Sequence, residues 1–200
     1  GKTTYAMEGS IFIAGAGVQW LRDRMKFFKK APETEKIVKS LDNNNDIYLV
    51  PAFTGLGAPY WDANARGVLS GITRDTSPKE IVRATIEAVA YQTFDLFEAM
   101  KHDGLRPKIV KVDGGMVMNN WFSQFLSDVV NVKVLRPKVH ETTALGAAFM
   151  AGLQIGVYKS LKNISKNWNL DKKFSPKMKN KSRTILIKGW EKAVKRALIN

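Results

Sequence analysis

The chain has no cysteine among its 200 residues. That removes disulfide frameworks, thiolate metal sites and cysteine nucleophiles, and it suits a reducing cytoplasm, the expected location. Histidine is scarce: His102 and His140 are the only two. A zinc site would need carboxylates, because no pair of histidines has ligand spacing. No apolar run approaches the ~18 residues of a membrane-spanning helix, so no membrane partner is expected. There is no Gly-x-Ser-x-Gly elbow, no Walker A lysine and no nucleophile–base pair. The start, Gly1-Lys2-Thr3-Thr4-Tyr5, resembles neither a signal peptide nor an initiator, so a piece of a longer protein is expected.

What is present is enough for a core: 44% of residues are hydrophobic and 10% aromatic. The net charge of +14 is unevenly placed. Residues 161–200 carry 12 Lys and Arg against 2 Asp and Glu, whereas residues 1–160 carry 20 against 16. Of the 12 basic residues in the tail, 10 are lysine, the less specific partner for phosphates. Trp168, Phe174 and Trp190 interleave them, but no nucleic-acid-binding motif does, so a solvated basic face is expected and nucleic acid is not.

The stretch Lys108-Ile109-Val110-Lys111-Val112-Asp113-Gly114-Gly115-Met116-Val117-Met118-Asn119-Asn120-Trp121 organises the rest. It predicts a short strand, a glycine turn and a helix from Trp121 to about Val130. Asn119 or Asn120 can cap that helix. Gly114-Gly115 allows positive φ and close approach of a ligand. Such a corner either binds phosphates or a nucleotide, or turns the chain and nothing more.

Before it, Thr3–Gly9 predicts a strand, and Ile11, Ala14, Val18 and Leu21 keep helical spacing. The small residues Ala14, Gly15, Ala16 and Gly17 serve packing or a ligand, since glycine in a helix costs stability. Glu35 to Leu41 predicts a short helix, Ile47–Val50 a strand ended by Pro51, and Val68–Ile72 a strand containing Gly71. Between those strands, Ala52 to Gly67 is dense in Gly, Pro and aromatics, which implies an ordered loop. Ser77-Pro78-Lys79-Glu80 combines an N-cap, Pro at N1 and a capping box, and starts a helix to about His102. Val132–Pro137 predicts a strand, and Glu141–Gly152 a small-residue helix ending at Gly152 and capped by Thr142 or Thr143. Ile185–Ile187 reads as an edge strand or a helix start, and Gly189–Leu198 as an amphipathic helix. The order strand, helix, strand, helix is that of an α/β layer with helices covering a sheet. The carboxylates Asp62 and Asp113 stand alone in loops, and no catalytic residue emerges.

At these residues the sequence resembles the C-terminal domain of the FGGY carbohydrate kinases. The resemblance is carried by Tyr5-Ala6-Met7-Glu8-Gly9, by Gly15-Ala16 through Gln19-Trp20-Leu21-Arg22-Asp23, and by Val50 to Trp61. It continues in Ala65-Arg66-Gly67, Val112-Asp113-Gly114-Gly115, Asn119-Asn120, Thr143 to Ala148 and Gly189-Trp190. It is dense over about residues 4–158 and thin to 198. The loop Phe53 to Trp61 resembles the glycerol-phosphorylating branch in particular.

The resemblance implies an actin-like ATPase (ribonuclease H-like) fold, a mixed sheet flanked by helices. It places a nucleotide-binding domain at 1–158 and a basic, divergent extension, packed on the same domain, at 159–200. It implies ATP or ADP contacts at Gly15, Gln19, Gly115 and Asn119. The catalytic base, the main glycerol contacts and the Mg²⁺ ligands are implied to lie in an upstream domain, so no catalytic or metal residue is expected here and the isolated piece is expected to be inactive. The expected partners are that N-terminal domain, glycerol and, for the full-length protein, further copies of itself. Two other readings stand beside this one: a non-catalytic kinase-like binding module, and a kinase for another polyol or sugar.

Overall fold

The structure, a computed structural model, describes residues 3–198. Residues 1–2 and 199–200, at the outer ends of the two expected segments, lie outside the described residues. In chain order the elements are α1 (Gly15–Asp23), α2 (Glu33–Lys39), β1 (Tyr48–Val50), β2 (Val68–Ser70) and α3 (Pro78–His102). Then come β3 (Ile109–Lys111), a 3-10 turn (Gly115–Met118), α4 (Asn120–Val130), β4 (Lys133–Pro137), α5 (Thr142–Gln154), α6 (Leu161–Ser165), β5 (Leu170–Phe174) and α7 (Asn180–Ala197).

Helix α3 is the spine. Its start is fixed as the sequence predicts: Ser77 accepts from the Lys79 amide, and the Glu80 carboxylate accepts from the Ser77 amide at 2.9 Å. Burial alone would raise the Glu80 pKa, but the bonds from Ser77 outweigh it and the carboxyl titrates below its usual range. Val82, Ile86, Ala88, Val89 and Tyr91 of α3 pack with Phe122, Phe125 and Val129 of α4. Each such large side chain contributes about 1.5–3 kcal/mol when buried.

Strands β3, β4 and β5 form a mixed sheet in that order. β3 runs parallel to β4 with Val110 opposite Val134, and β4 runs antiparallel to β5 with Val134 opposite Phe174. β1 and β2 form a separate antiparallel pair. The basic C-terminal region therefore supplies an edge strand and a core helix. Trp190 of α7 is fully buried and stacks on Tyr91 at 5.4 Å.

Several local expectations fail. Thr3–Gly9 has no strand partner among the described residues and is irregular and mostly exposed, with Tyr5 91% exposed; a strand without a neighbour leaves its backbone groups unpaired. The first helix begins at Gly15 rather than near Ile11. Gly71 follows β2 instead of sitting in it; its φ of +86° and the Asp46 carbonyl 2.1 Å from where a Cβ would stand require glycine. Helix α5 continues through Gly152 to Gln154, Gly156 (φ +81°) follows its end, and neither Thr142 nor Thr143 caps it. Gly152 is buried against Tyr158 instead. Ile185–Ile187 lies inside α7.

Candidate functional site

Helices α1, α2 and α3, the 3-10 turn and Asn119, the residue before α4, border one pocket of about 320 Å³, within the usual range for small-molecule sites. Gly15, Gln19, Gly115 and Asn119 all line it, so the four residues singled out from the sequence come together. Val18, Ile86, Ala31, Pro32, Met116 and Met118 supply apolar walls.

The glycines of the first corner divide by role. A Cβ on Gly17 would meet the Thr85 methyl at 2.9 Å, so Gly17 lets α1 pack closely on α3. A Cβ on Gly15 would meet nothing within 4 Å. The second corner divides likewise. Gly114 has φ +83° and its amide donates to the His140 carbonyl at 3.0 Å, which is backbone geometry. Gly115 has no positive φ, and a Cβ there would also meet nothing within 4 Å. Gly15 and Gly115 thus leave space that neither backbone strain nor a protein neighbour demands, and both border the same pocket.

Asn119, not Asn120, caps α4: its Oδ1 accepts from the Phe122 amide at 2.9 Å. At the start of α4, Glu35 Oε2 of α2 accepts from the Asn120 amide at 3.3 Å, so that amide is taken by a protein carboxylate. Burial alone would raise the Glu35 pKa, but Lys39 and the Asn120 groups outweigh it and hold the carboxyl below its usual range. Arg22 also lines the pocket and is paired with Asp23 at 2.7 Å. Gln19 is exposed at the rim. The contribution of α2 is not visible in the sequence, because seven residues with no glycine or motif read as an ordinary surface helix.

Among the described residues no group of three or more His, Asp or Glu side chains could hold a metal ion, and no helix is long and apolar enough to cross a membrane. Asp113 is exposed, and Asp62 is spent on its own loop, accepting from the Asn64 and Ala65 amides. The loop around it is ordered by an exchange of backbone bonds between Leu56 and Asp62 and by Tyr60, whose hydroxyl donates to Asp95 at 2.8 Å.

Comparison with known proteins gives this geometry a family. The chain is 55% identical over 196 residues to glycerol kinase 1 of Pseudomonas aeruginosa, covering 98% of the chain and 40% of that protein. It is 53% identical over 199 residues to glycerol kinase of Thermoanaerobacter pseudethanolicus, again covering 40% of that protein. The chain thus spans about 40% of the length of these relatives. The structure of Plasmodium falciparum glycerol kinase with ADP superposes with a TM-score of 0.84 at 37% identity, over 95% of this chain and 38% of that one. A ligand-bound xylulose kinase from Lactobacillus acidophilus, at 23% identity and a TM-score of 0.77, shares the fold. Residues 1–155 match the FGGY family of carbohydrate kinases, C-terminal domain, and the chain belongs to that family.

Proposed function

We propose that this chain is the nucleotide-holding part of an ATP-dependent glycerol kinase, which transfers the γ-phosphoryl group of ATP to a glycerol hydroxyl. The observation that carries this reading is the pair Gly15 and Gly115. Both open onto one apolar-walled pocket, and among the described residues nothing lies within 4 Å of where a Cβ would stand at either. The pocket suits the base and sugar end of a nucleotide: Val18, Met116 and Met118 offer apolar contact, Gln19 and Asn119 offer amide donors and acceptors. The relatives named glycerol kinase, and the one solved with ADP, support the same assignment.

Phosphoryl transfer is achieved chiefly by holding the γ-phosphoryl in line with the attacking oxygen and neutralising its charge. In this reading the chain contributes to the first part by fixing the base and sugar end of the nucleotide. Mg²⁺ would neutralise phosphate charge when bound. Its ligands, the base that takes the glycerol proton and the main glycerol contacts are assigned to an upstream domain, in a protein working in the cytoplasm. Closure of that domain on this one would exclude water from the reaction. The exposed apolar side chains of Ile109, Met150, Ile155 and Val157 support a covering partner of this kind.

The test is glycerol-dependent ADP formation by the full-length protein, with the 200-residue chain alone as control. Activity in the first and none in the second is expected. A full-length protein inert with glycerol and ATP overturns the reading, and a panel of other polyols then becomes the next measurement.

A further inference from the structure

We propose that Thr34 and Glu35 of α2 are positioning residues for the nucleotide: they fix the orientation of the Asn119 side chain and the start of α4, and so set the affinity for ATP. The proposal rests on the nucleotide reading of the pocket and adds to it a pair of residues that carry no family motif.

The geometry is a chain of donors and acceptors with one consistent direction. The Thr34 hydroxyl donates its single proton to the Ala31 carbonyl at 2.7 Å. Toward Asn119 it is therefore an acceptor, and Asn119 Nδ2 donates to it at 3.4 Å. Asn119 Oδ1 is already committed to the Phe122 amide at 2.9 Å. An amide side chain with its nitrogen held on one side and its oxygen on the other cannot flip without losing both bonds. What remains for a ligand is one N–H and one oxygen lone pair, in a fixed arrangement. Thr34 is buried, at 4% exposure, so the bond is shielded from competing water.

Glu35 holds the next residue. Its Oε2 accepts from the Asn120 amide at 3.3 Å, and its Oε1 lies 3.5 Å from Asn120 Nδ2. A carboxylate at a helix N-terminus is favoured by the helix dipole. Lys39, one turn along α2, pairs with the same carboxylate, and Lys172 of β5 donates to Asn120 Oδ1 at 3.1 Å. α2 thus grips the start of α4 through Thr34 and Glu35, both of which line the pocket. With a protein carboxylate at that helix end, a nucleotide is left to present its uncharged part there.

The experiment is steady-state kinetics on the full-length protein with Thr34→Val, Thr34→Ser, Glu35→Ala and Glu35→Gln, together with amide hydrogen exchange at Asn120 and Phe122. Thr34→Val and Glu35→Ala are expected to raise the KM for ATP roughly tenfold, the scale of one lost hydrogen bond. The KM for glycerol and kcat should stay within about twofold, because the loss is of uniform binding. Exchange at Asn120 should quicken in Glu35→Ala, and Thr34→Ser and Glu35→Gln should restore most of the ATP affinity. An active protein whose ATP KM is unmoved in both truncated variants overturns the positioning role alone. A fall in kcat with both KM values changed together points to general loss of structure and overturns it as well. A wild-type protein without ATP-dependent turnover overturns the nucleotide reading itself and this role with it.

Discussion

The indole of Trp190 donates to the Asp95 carboxylate at 2.7 Å across 95 residues of sequence, and both side chains are buried. Tyr60 donates to the same oxygen at 2.8 Å. One carboxylate thereby ties the aromatic loop, the spine helix α3 and the terminal helix α7. Burial pushes the Asp95 pKa up to about 6, with a smaller push from Glu191; the two donors hold it from going higher. An ordinary aspartate titrates near 3.9. The folded protein therefore binds the proton more tightly than the unfolded chain does. The stabilisation from that proton is complete below about pH 4 and is lost as pH rises through about 6. A shift of about two units corresponds to ~3 kcal/mol. Against Asp95→Asn, which does not titrate, the wild-type protein is expected to lose ~2–3 kcal/mol of relative stability between pH 4 and pH 7. Denaturant melts at three pH values check this, and a constant difference would show that burial does not penalise the ionised form.

The same contact makes the C-terminal region part of the core. Trp190→Ala removes a fully buried indole, its stacking on Tyr91 and one of the two donors to Asp95. A cost of about 3–5 kcal/mol is expected for such a truncation. Deleting residues 159–200 should then abolish cooperative melting, whereas an extension merely laid on the surface would leave the 1–158 transition intact.

The readable parts of the sequence were those where a local rule and the tertiary structure agree. Ser77-Pro78-Lys79-Glu80 carries its own cap, so α3 starts where it is predicted to. The Gly114-Gly115 corner shows its turn in the residue type, and it brings Gly115 and Asn119 to the same pocket as Gly15 and Gln19. Other features depend on partners that a sequence pattern does not name. Thr3–Gly9 has strand composition but no strand beside it among the described residues. β5 lies where the sequence predicts no element, because as an edge strand it exposes Asp171, Lys172 and Lys173 and shows no apolar alternation. The grip of α2 on α4 joins Thr34 to Asn119 across 85 residues, a pairing no periodicity contains.

The two glycines of α1 give a paired test of packing against ligand space. Gly15→Ala adds a methyl group to open space in a helix. It should hold or raise stability, by up to ~1 kcal/mol from helix propensity, while lowering ADP affinity. Gly17→Ala drives a methyl group into Thr85 at 2.9 Å. It should cost about 1–3 kcal/mol, as overpacking does. Melting temperature and ADP titration of the two variants check both halves, and equal ADP affinity in wild type and Gly15→Ala would remove the ligand reading of that corner.

Inside α3, Arg83 pairs with Glu87 at 2.7 Å, and the carboxylate is fully buried. Burial pushes the Glu87 pKa up, against the pull of Arg83 and the hydrogen bond from the Tyr91 hydroxyl at 2.9 Å. Arg83→Met strips the cation from a buried anion and should cost about 3–5 kcal/mol. Replacing both, Arg83→Met with Glu87→Leu, should recover part of that loss, because the unpaired charge disappears while the Tyr91 hydroxyl and the Leu41 carbonyl still lose their partners. A double-mutant cycle on urea stability measures the coupling; additive losses would mean the pair contributes nothing as a pair.

Asn119 joins two roles that one substitution can separate. As the α4 N-cap it accepts from the Phe122 amide, so Asn119→Ala should cost about 1 kcal/mol of stability as well as nucleotide affinity. A drop in ADP binding in that variant would therefore prove little by itself. Asn119→Ser keeps an oxygen able to cap the helix but removes the amide nitrogen that reaches Thr34 and the pocket. It should melt within about 0.5 kcal/mol of wild type, since Ser and Asn cap almost equally well. Its ADP affinity should nevertheless fall about as far as that of Asn119→Ala. If the serine variant instead binds ADP like wild type, the amide makes no contact of its own, and Asn119 serves the pocket only by starting the helix.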